Sequence, residues 1–422
     1  AVTFYKNNAT QGELVSGITD DVCFFVAGYN TCDAYFNFGS DSSFAGNKTA
    51  QGNQDGNGIG DFYYTPPSGF NSLCSENLPS AEIALPTDHF DAALWTGNSS
   101  TQTVTSSLNF QPDFLWTKLR SHTDHHIFRD IVRDGSTTMV KSLRPSHHGA
   151  EYTGSGSLTT TSNGFSVSGH DGGEFNYNTY TYVTWNWKAG GTASSNTDGT
   201  ITSSVSANPT AGFSIVSYTG VGPGSAANEE TAGHGLSETP EVVIVKKRSA
   251  SGSWFVYTTV IDGSNDYLYL DTAAAKGNSG NTVPSSTVFN FGGVLNTSSA
   301  TYIAYCFHSV DGYSKVGSYT GNGNADGPMI FAGFRPAFFM VKNASTLGTD
   351  WRLYDDKRPA YNPVNVILYP DTSGVESSTS HPMDFVSNGI KNRGTFSEVN
   401  TSGDTYIYIA FAESPFKYSN AR

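Results

Sequence analysis

The chain has 422 residues, 14% of them charged, and a net charge of −14. Its 23 Tyr and 27 Phe exclude a disordered acidic tail, and it lacks the Ala, Glu, Lys, Leu and Arg enrichment of a helical bundle. The shortage of basic residues argues against a nucleic-acid partner. No run of about 18 apolar residues is present, so no membrane insertion is expected.

The first strand-like run, Val2-Thr3-Phe4-Tyr5, follows directly on Ala1. A start without Met predicts a processed or partial chain. Four cysteines (Cys23, Cys32, Cys74, Cys306) are too few for a disulfide framework. Cys23 and Cys32 could face each other across a hairpin, but free, half-buried thiols are the expectation. Short β-branched or aromatic runs separated by Gly, Asn, Asp and Ser predict strands. They include Cys23-Phe24-Phe25-Val26, Tyr35-Phe36-Asn37-Phe38, Val242-Val243-Ile244-Val245, Phe338-Phe339-Met340-Val341 and Tyr406-Ile407-Tyr408-Ile409. Only residues 271–276 predict as much as one helical turn. Residues 1–83 are too short for a complete sandwich. Their edges call for missing sequence, a neighbouring chain or the next segment.

Within that segment, residues 53–61 place side-chain oxygens at alternate positions, with Gly58 sixth. A calcium loop begins in this way. Asp55, Asn57 and Asp61 are the candidate ligands of a Ca2+ ion. Tyr64 stands where a bidentate Glu would close such a loop, so a Gly/Asn-rich turn is the competing reading.

The rest of the chain repeats itself three times. Trp95-Thr96-Gly97, Tyr218-Thr219-Gly220 and Tyr319-Thr320-Gly321 each lead to a proline that opens an apolar strand closed by lysine. Those pairs are Pro112 with Lys118, Pro240 with Lys246 and Pro336 with Lys342. Each copy ends on one aromatic strand, in register Tyr182-Val183-Thr184-Trp185-Asn186-Trp187, Tyr302-Ile303-Ala304-Tyr305-Cys306-Phe307 and Tyr406-Ile407-Tyr408-Ile409-Ala410-Phe411. The period of about 100 residues matches a whole β-sandwich, not a solenoid unit. Both faces of the last strand are apolar, which predicts packing on both sides. Cys306 aligns with Ala410 and Asn186, so it reads as a packing residue. The predicted layout is a partial sandwich at 1–83, repeats at 88–191, 213–313 and 314–422, and a Ser/Thr-rich linker at 192–212. Almost no linker separates the last two copies, which should be rigidly joined.

The first copy concentrates His122, His125, His126, His147, His148 and His170. Surface-loop histidines are the expectation, since no Cys or Glu completes a metal pattern. No enzyme signature is present. Gly220-Val221-Gly222-Pro223-Gly224 lacks the Lys and helix of a phosphate loop.

Val2-Thr3-Phe4-Tyr5-Lys6-Asn7-Asn8, Phe36-Asn37-Phe38-Gly39, Phe62-Tyr63-Tyr64-Thr65-Pro66-Pro67 and Asn77-Leu78-Pro79 resemble the C-terminal half of a SPRY-type β-sandwich found in large virion proteins of marine bacteriophages. Trp187-Lys188-Ala189-Gly190-Gly191, Phe307-His308-Ser309-Val310-Asp311-Gly312-Tyr313 and Phe411-Ala412-Glu413-Ser414-Pro415-Phe416-Lys417 resemble a domain of unknown function that follows it there. The resemblance implies an all-β fold of tandem antiparallel β-sandwich domains, jelly-roll or SPRY-like. It brings no catalytic residues.

The expected function is therefore a non-enzymatic virion structural protein, a tail or capsid fibre on the particle exterior that contributes to attachment to a host surface glycan. Its partners would be copies of itself (a homo-oligomer, a trimer by analogy) or other virion proteins. It would be extracellular after release, and apart from Ca2+ no cofactor is expected. The alternatives are a self-assembling coat or decoration protein and a polysaccharide depolymerase, the latter because carboxylates are plentiful though unpatterned.

Overall fold

The aromatic strands that close each repeat organise the computed structural model, which describes residues 2–6, 9–15, 35–105, 108–222 and 229–419. Thr181–Trp187, Thr301–Phe307 and Thr405–Pro415 each lie between the first and third strands of their own repeat. Trp185 opposes Ala92 and Trp116. Tyr305 opposes Ile215 and Ile244, and Ile409 opposes Val316 and Met340. The register of the repeats is thus the same three times.

Among the described residues each repeat has eight strands. In the first and third repeats they form two four-stranded antiparallel sheets, in the order 1-8-3-4 and 2-7-6-5. In the second repeat, strands five and six (Asp266–Tyr269 and Gly277–Asn278) extend the first sheet instead, which leaves strands two and seven as a pair. Ser194–Asn196 and Ser203–Asn208 add to the opposite edge of that sheet. The stretch expected as a linker is therefore part of the sheet. Ile201 and Val205 are buried beneath it, and the Ser206 hydroxyl donates to the Gly191 carbonyl.

Alternation along the closing strands divides two kinds of core. Tyr302, Ala304 and Cys306 pack with Phe289 and Phe291 inside the second sandwich. Tyr406, Tyr408 and Ala410 do the same with Phe385 and Ile390 in the third. Their neighbours Ile303, Tyr305, Phe307, Ile407, Ile409 and Phe411 face the other way, into one core shared by all three repeats. Each pair of repeats meets there through aromatic rings: Phe114 with Tyr305 at 4.4 Å, Trp187 with Phe338 at 5.6 Å and Phe307 with Phe411 at 5.9 Å. A void of about 20 Å³ at the centre is lined only by apolar and aromatic side chains. Such a void stays dry, because it offers water no partner. All three repeats, not the second and third alone, are thus joined through this core.

The aromatic-Thr-Gly turns have a local cause. Trp95, Tyr218 and Tyr319 stack on Tyr182, Tyr302 and Tyr406, with ring centroids 4.5, 5.0 and 4.9 Å apart. The glycine is needed because the turn before the closing strand crosses it. A Cβ on Gly97 would lie 2.2 Å from the Tyr177 carbonyl oxygen, and one on Gly321 would lie 2.1 Å from that of Thr401.

Residues 271–276 are not helical. Their backbone is tied to the third repeat instead, with Ala273 O accepting from Gly348 N and Lys276 N donating to Ala344 O. Four-residue helices occur at Ile131–Asp134 and Ser397–Asn400.

Residues 1–80 form a separate unit. Val2–Lys6 and Ala9–Val15 pair as a hairpin, and Asn53 bridges Phe62. The strand expected at Tyr35-Phe36-Asn37-Phe38 is absent. Asn37 Oδ1 accepts from the backbone of Gly39 and Ser40, and this side-chain turn competes with a ladder. Cys23 and Cys32, and the run beginning at Cys23, lie outside the described residues.

Candidate functional site

Chemistry-bearing residues fall into three groups: those at the seams between repeats, the side chains foreseen as ligands, and an exposed group of rings on the first repeat.

The seams absorb most of the buried charge. The fourth strands of the repeats, Ile127–Asp130, Phe255–Thr258 and Arg352–Asp355, end at equivalent positions. Tyr305 of the second repeat donates its hydroxyl to Asp130 Oδ2 of the first, at 2.8 Å. Trp185 Nε1 of the first repeat donates to Asp355 Oδ2 of the third, at 3.0 Å. Each aspartate also receives an arginine three residues on, Arg133 or Arg358. Those arginines continue to Glu151 and Glu376, which Arg248 and Arg120 grip bidentately from the neighbouring repeat. Burial and the Asp130 charge push the Tyr305 hydroxyl far above its ordinary pKa. At the third seam the equivalent positions are Ile409, Thr258, Ile261, Lys276 and Ala344, and the ion pairs of Lys276 stay within its own repeat, on Asp262 and Asp266.

Indole and imidazole close a ring around the three repeats. Trp254 Nε1 donates to Arg144 O and Trp351 Nε1 to Tyr269 O, at 2.9 and 2.8 Å. His126 occupies the same place in the first repeat and lies 3.0 Å from Tyr369 O through Nε2. Its Nδ1 accepts from Trp116 Nε1, so the proton sits on Nε2 and the imidazole imitates an indole N–H. Burial holds His126 well below the ordinary histidine pKa. This corrects its expected place in a surface loop. The sequence signal was available, because His126 stands directly before its strand, as Trp254 and Trp351 do.

Lys118, Lys246 and Lys342 lie at the same seams, fully buried. Lys118 Nζ donates to Asp124 O and across to Ser373 O of the third repeat. Lys246 Nζ donates to Gly252 O and across to His148 O of the first. Lys342 Nζ donates to Thr349. Burial pushes all three down to about 8. Cys306 is buried as expected, and burial pushes its thiol up to about 12.

The loop foreseen for calcium is held by its own side chains. Asp55 Oδ1 accepts from the backbone of Asn57 and Ile59, and Oδ2 from Ser72 N and Asn77 Nδ2. Asn57 Nδ2 turns to Asn77, and Asp61 Oδ2 accepts from Ser42 N. Asp55 and Asn57 thus share Asn77 while Asp61 is held apart from them on Ser42, and this hydrogen bonding is that of a turn. Among the described residues, no group of three His, Cys, Asp or Glu is placed to hold a metal.

The other five histidines foreseen in the first repeat separate into two sets. His125, His147 and His148 form one, with ring centroids 5.2 and 4.6 Å apart. His122 and His170 join two tyrosines. The His122 ring lies on Tyr180 at 3.8 Å and 13°, Tyr180 meets Tyr177 at 4.8 Å, and Tyr177 meets His170 edge-on at 5.5 Å. His122, Tyr177 and His170 are exposed and Tyr180 is half-buried. Sequence reading grouped these histidines by composition and had no sign that Tyr177 and Tyr180 would meet them.

A protein-family model described as a domain of unknown function, DUF7483, matches residues 85–415. It runs through all three repeats as one unit. No curated protein and no solved structure matches the chain.

Proposed function

The chain belongs to the DUF7483 family, a grouping that prescribes no activity, and from that premise we propose a non-enzymatic structural protein of a virion exterior, a tail or capsid fibre that contributes to host-surface attachment. The observation that carries this reading is where the perturbed groups lie. His126, Tyr305, Lys118 and Lys246 hold repeat to repeat, and Lys342 is buried on Thr349 beside its seam. Perturbed groups often mark catalysis, but structural networks perturb them too, and here each has a partner across or beside a seam. The loops at the sandwich ends stay free to vary on a rigid support, a division of labour that suits recognition. In this reading the N-terminal unit is part of a SPRY-like sandwich. Association with copies or with other virion proteins completes it.

Immunogold labelling of purified particles with antibody against the chain tests this. Gold on the particle exterior, together with antibody that blocks adsorption, is the expected result. Particles that stay unlabelled would overturn it.

A further inference from the structure

We propose that the ring ladder His122–Tyr180–Tyr177–His170 on the first repeat is a binding site for an uncharged polysaccharide. The inference rests on the attachment part of the proposed function and names where and what that attachment grips.

The other two repeats act as internal controls. The turn before the closing strand is built identically in all three. Asn176, Asn296 and Asn400 accept through Oδ1 from Asn98 N, Val221 N and Asn322 N. The hydroxyls of Tyr182, Tyr302 and Tyr406 accept from Tyr177 N, Thr297 N and Thr401 N. Thr179, Ser299 and Gly403 are all left-handed, at φ 71, 61 and 85°. On this shared frame the second repeat carries Thr297 and Ala300, and the third carries Thr401 and Asp404, where the first has Tyr177 and Tyr180. The fold therefore does not require the two rings.

A second departure points the same way. Gly222 and Gly323 occupy a left-handed position, at φ 115 and 65°. The first repeat places Ser99 there, at φ 55°, a conformation unfavourable for a residue with a Cβ. Its hydroxyl accepts from Asn178 N at 2.9 Å and so pins the backbone between the two tyrosines. The first repeat accepts strain that the others avoid, at the residue that steadies the ladder.

The chemistry selects the ligand class. Aromatic faces are electron-rich and attract the C–H face of a pyranose ring. Exposed Asn178, Thr179 and Ser121 beside them offer amide and hydroxyl groups to sugar hydroxyls. Rigid tyrosine with small polar neighbours gives contact area at low entropic cost. Four successive rings suit a chain of sugars over a single one. Asp124 lies next to Tyr180 across Gly173, and a negative charge there disfavours an acidic glycan.

The test is affinity electrophoresis of the full chain in gels containing dextran, laminarin, mannan or xylan, with alginate as the anionic control. The wild type should be retarded by at least one neutral polymer. Tyr177→Thr with Tyr180→Ala, the residues of the second repeat, should raise the apparent Kd at least tenfold with an unchanged thermal midpoint. His122→Ala, which trims only an exposed ring, should raise it severalfold. Unretarded wild type in all four neutral gels, retardation by alginate alone, or variants that bind as the wild type does would each overturn the proposal. Unlabelled particles alongside a retarded wild type would overturn the virion reading and leave the ladder standing.

Discussion

The Tyr305 hydroxyl donates to the Asp130 carboxylate across the seam between the second and first repeats, at 2.8 Å, with both side chains fully buried. Asp130 also caps the helix Ile131–Asp134 through Arg133 N and pairs with the Arg133 guanidinium. One carboxylate thus ends a strand, starts a helix and joins two repeats. Tyr305→Phe should cost about 1.5–3 kcal/mol, the worth of a hydrogen bond to a charged group. Asp130→Ala should cost about 3–5 kcal/mol, because it leaves Arg133 buried without its partner. Urea denaturation of both variants and their double mutant checks this, and additive effects would contradict the shared role of Asp130.

The third seam should accept the same network only as a set. Thr258→Asp alone buries a carboxylate at a seam whose equivalent partner positions are Ile409 and Ile261, and should destabilise by about 2–4 kcal/mol. Adding Ile261→Arg and Ile409→Tyr supplies the partners found at the other seams and should recover most of that loss. Thermal midpoints of the single and triple variants decide it.

Stability should rise with pH just above neutrality. Burial pushes Lys118, Lys246 and Lys342 down to about 8, against the pull of Asp124, Asp271 and Asp371. The unfolded chain, with lysines near 10.4, then binds more protons than the folded one between roughly pH 8 and 10. The lysine contribution to unfolding free energy therefore climbs through that window. Urea midpoints measured from pH 7.5 to 9.5 should increase, and each Lys→Met variant should show a shallower rise.

Asp356 should behave in the opposite sense. Burial, reinforced by Asp355 and Asp91 and opposed by Lys357, pushes it up to about 7, and its Oδ1 is buried without a hydrogen-bond partner among the described residues. The folded state holds this proton between roughly pH 4 and 7 while the unfolded state releases it, so its contribution falls with rising pH. Asp356→Asn should stabilise by about 1–3 kcal/mol at pH 8 and change little at pH 4.

EDTA should leave the thermal transition unchanged, while Asp55→Ala lowers that of the N-terminal unit. Burial works against the Asp55 charge, but four N–H donors, from Ser72, Ile59, Asn77 and Asn57, outweigh it and push the carboxyl down to about 2. Its stabilisation is therefore present above about pH 4 and is lost as pH falls through about 2. Circular dichroism melts with and without chelator are sufficient.

Much of this fold was legible from local marks. The Thr-Gly turns, the strand-ending lysines, the closing strands and the packing role of Cys306 all stand in the sequence, because each meets a requirement within one repeat. The arrangement was not legible. Apolar residues on both faces of Tyr406-Ile407-Tyr408-Ile409 announce two coverings, and the sequence names only the partner sheet. The second covering is another repeat about 100 residues away, and no local pattern encodes that distance. The pairing of Asp130 with Tyr305 hides for the same reason, as does the matching Thr258 with Ile409. His126 was masked by its company, a polar loop rich in histidine.

The shared aromatic core has a consequence for how such a body can change over time. Three separate chains around a threefold axis would have to carry every alteration in triplicate and would come apart on dilution. Covalent continuity removes both constraints. One seam lacks the aspartate–arginine pair of the other two, one histidine stands in place of an indole and one turn carries two tyrosines, each without a matching residue elsewhere. A polypeptide built this way keeps the mechanical unity of a trimer while its three faces drift independently.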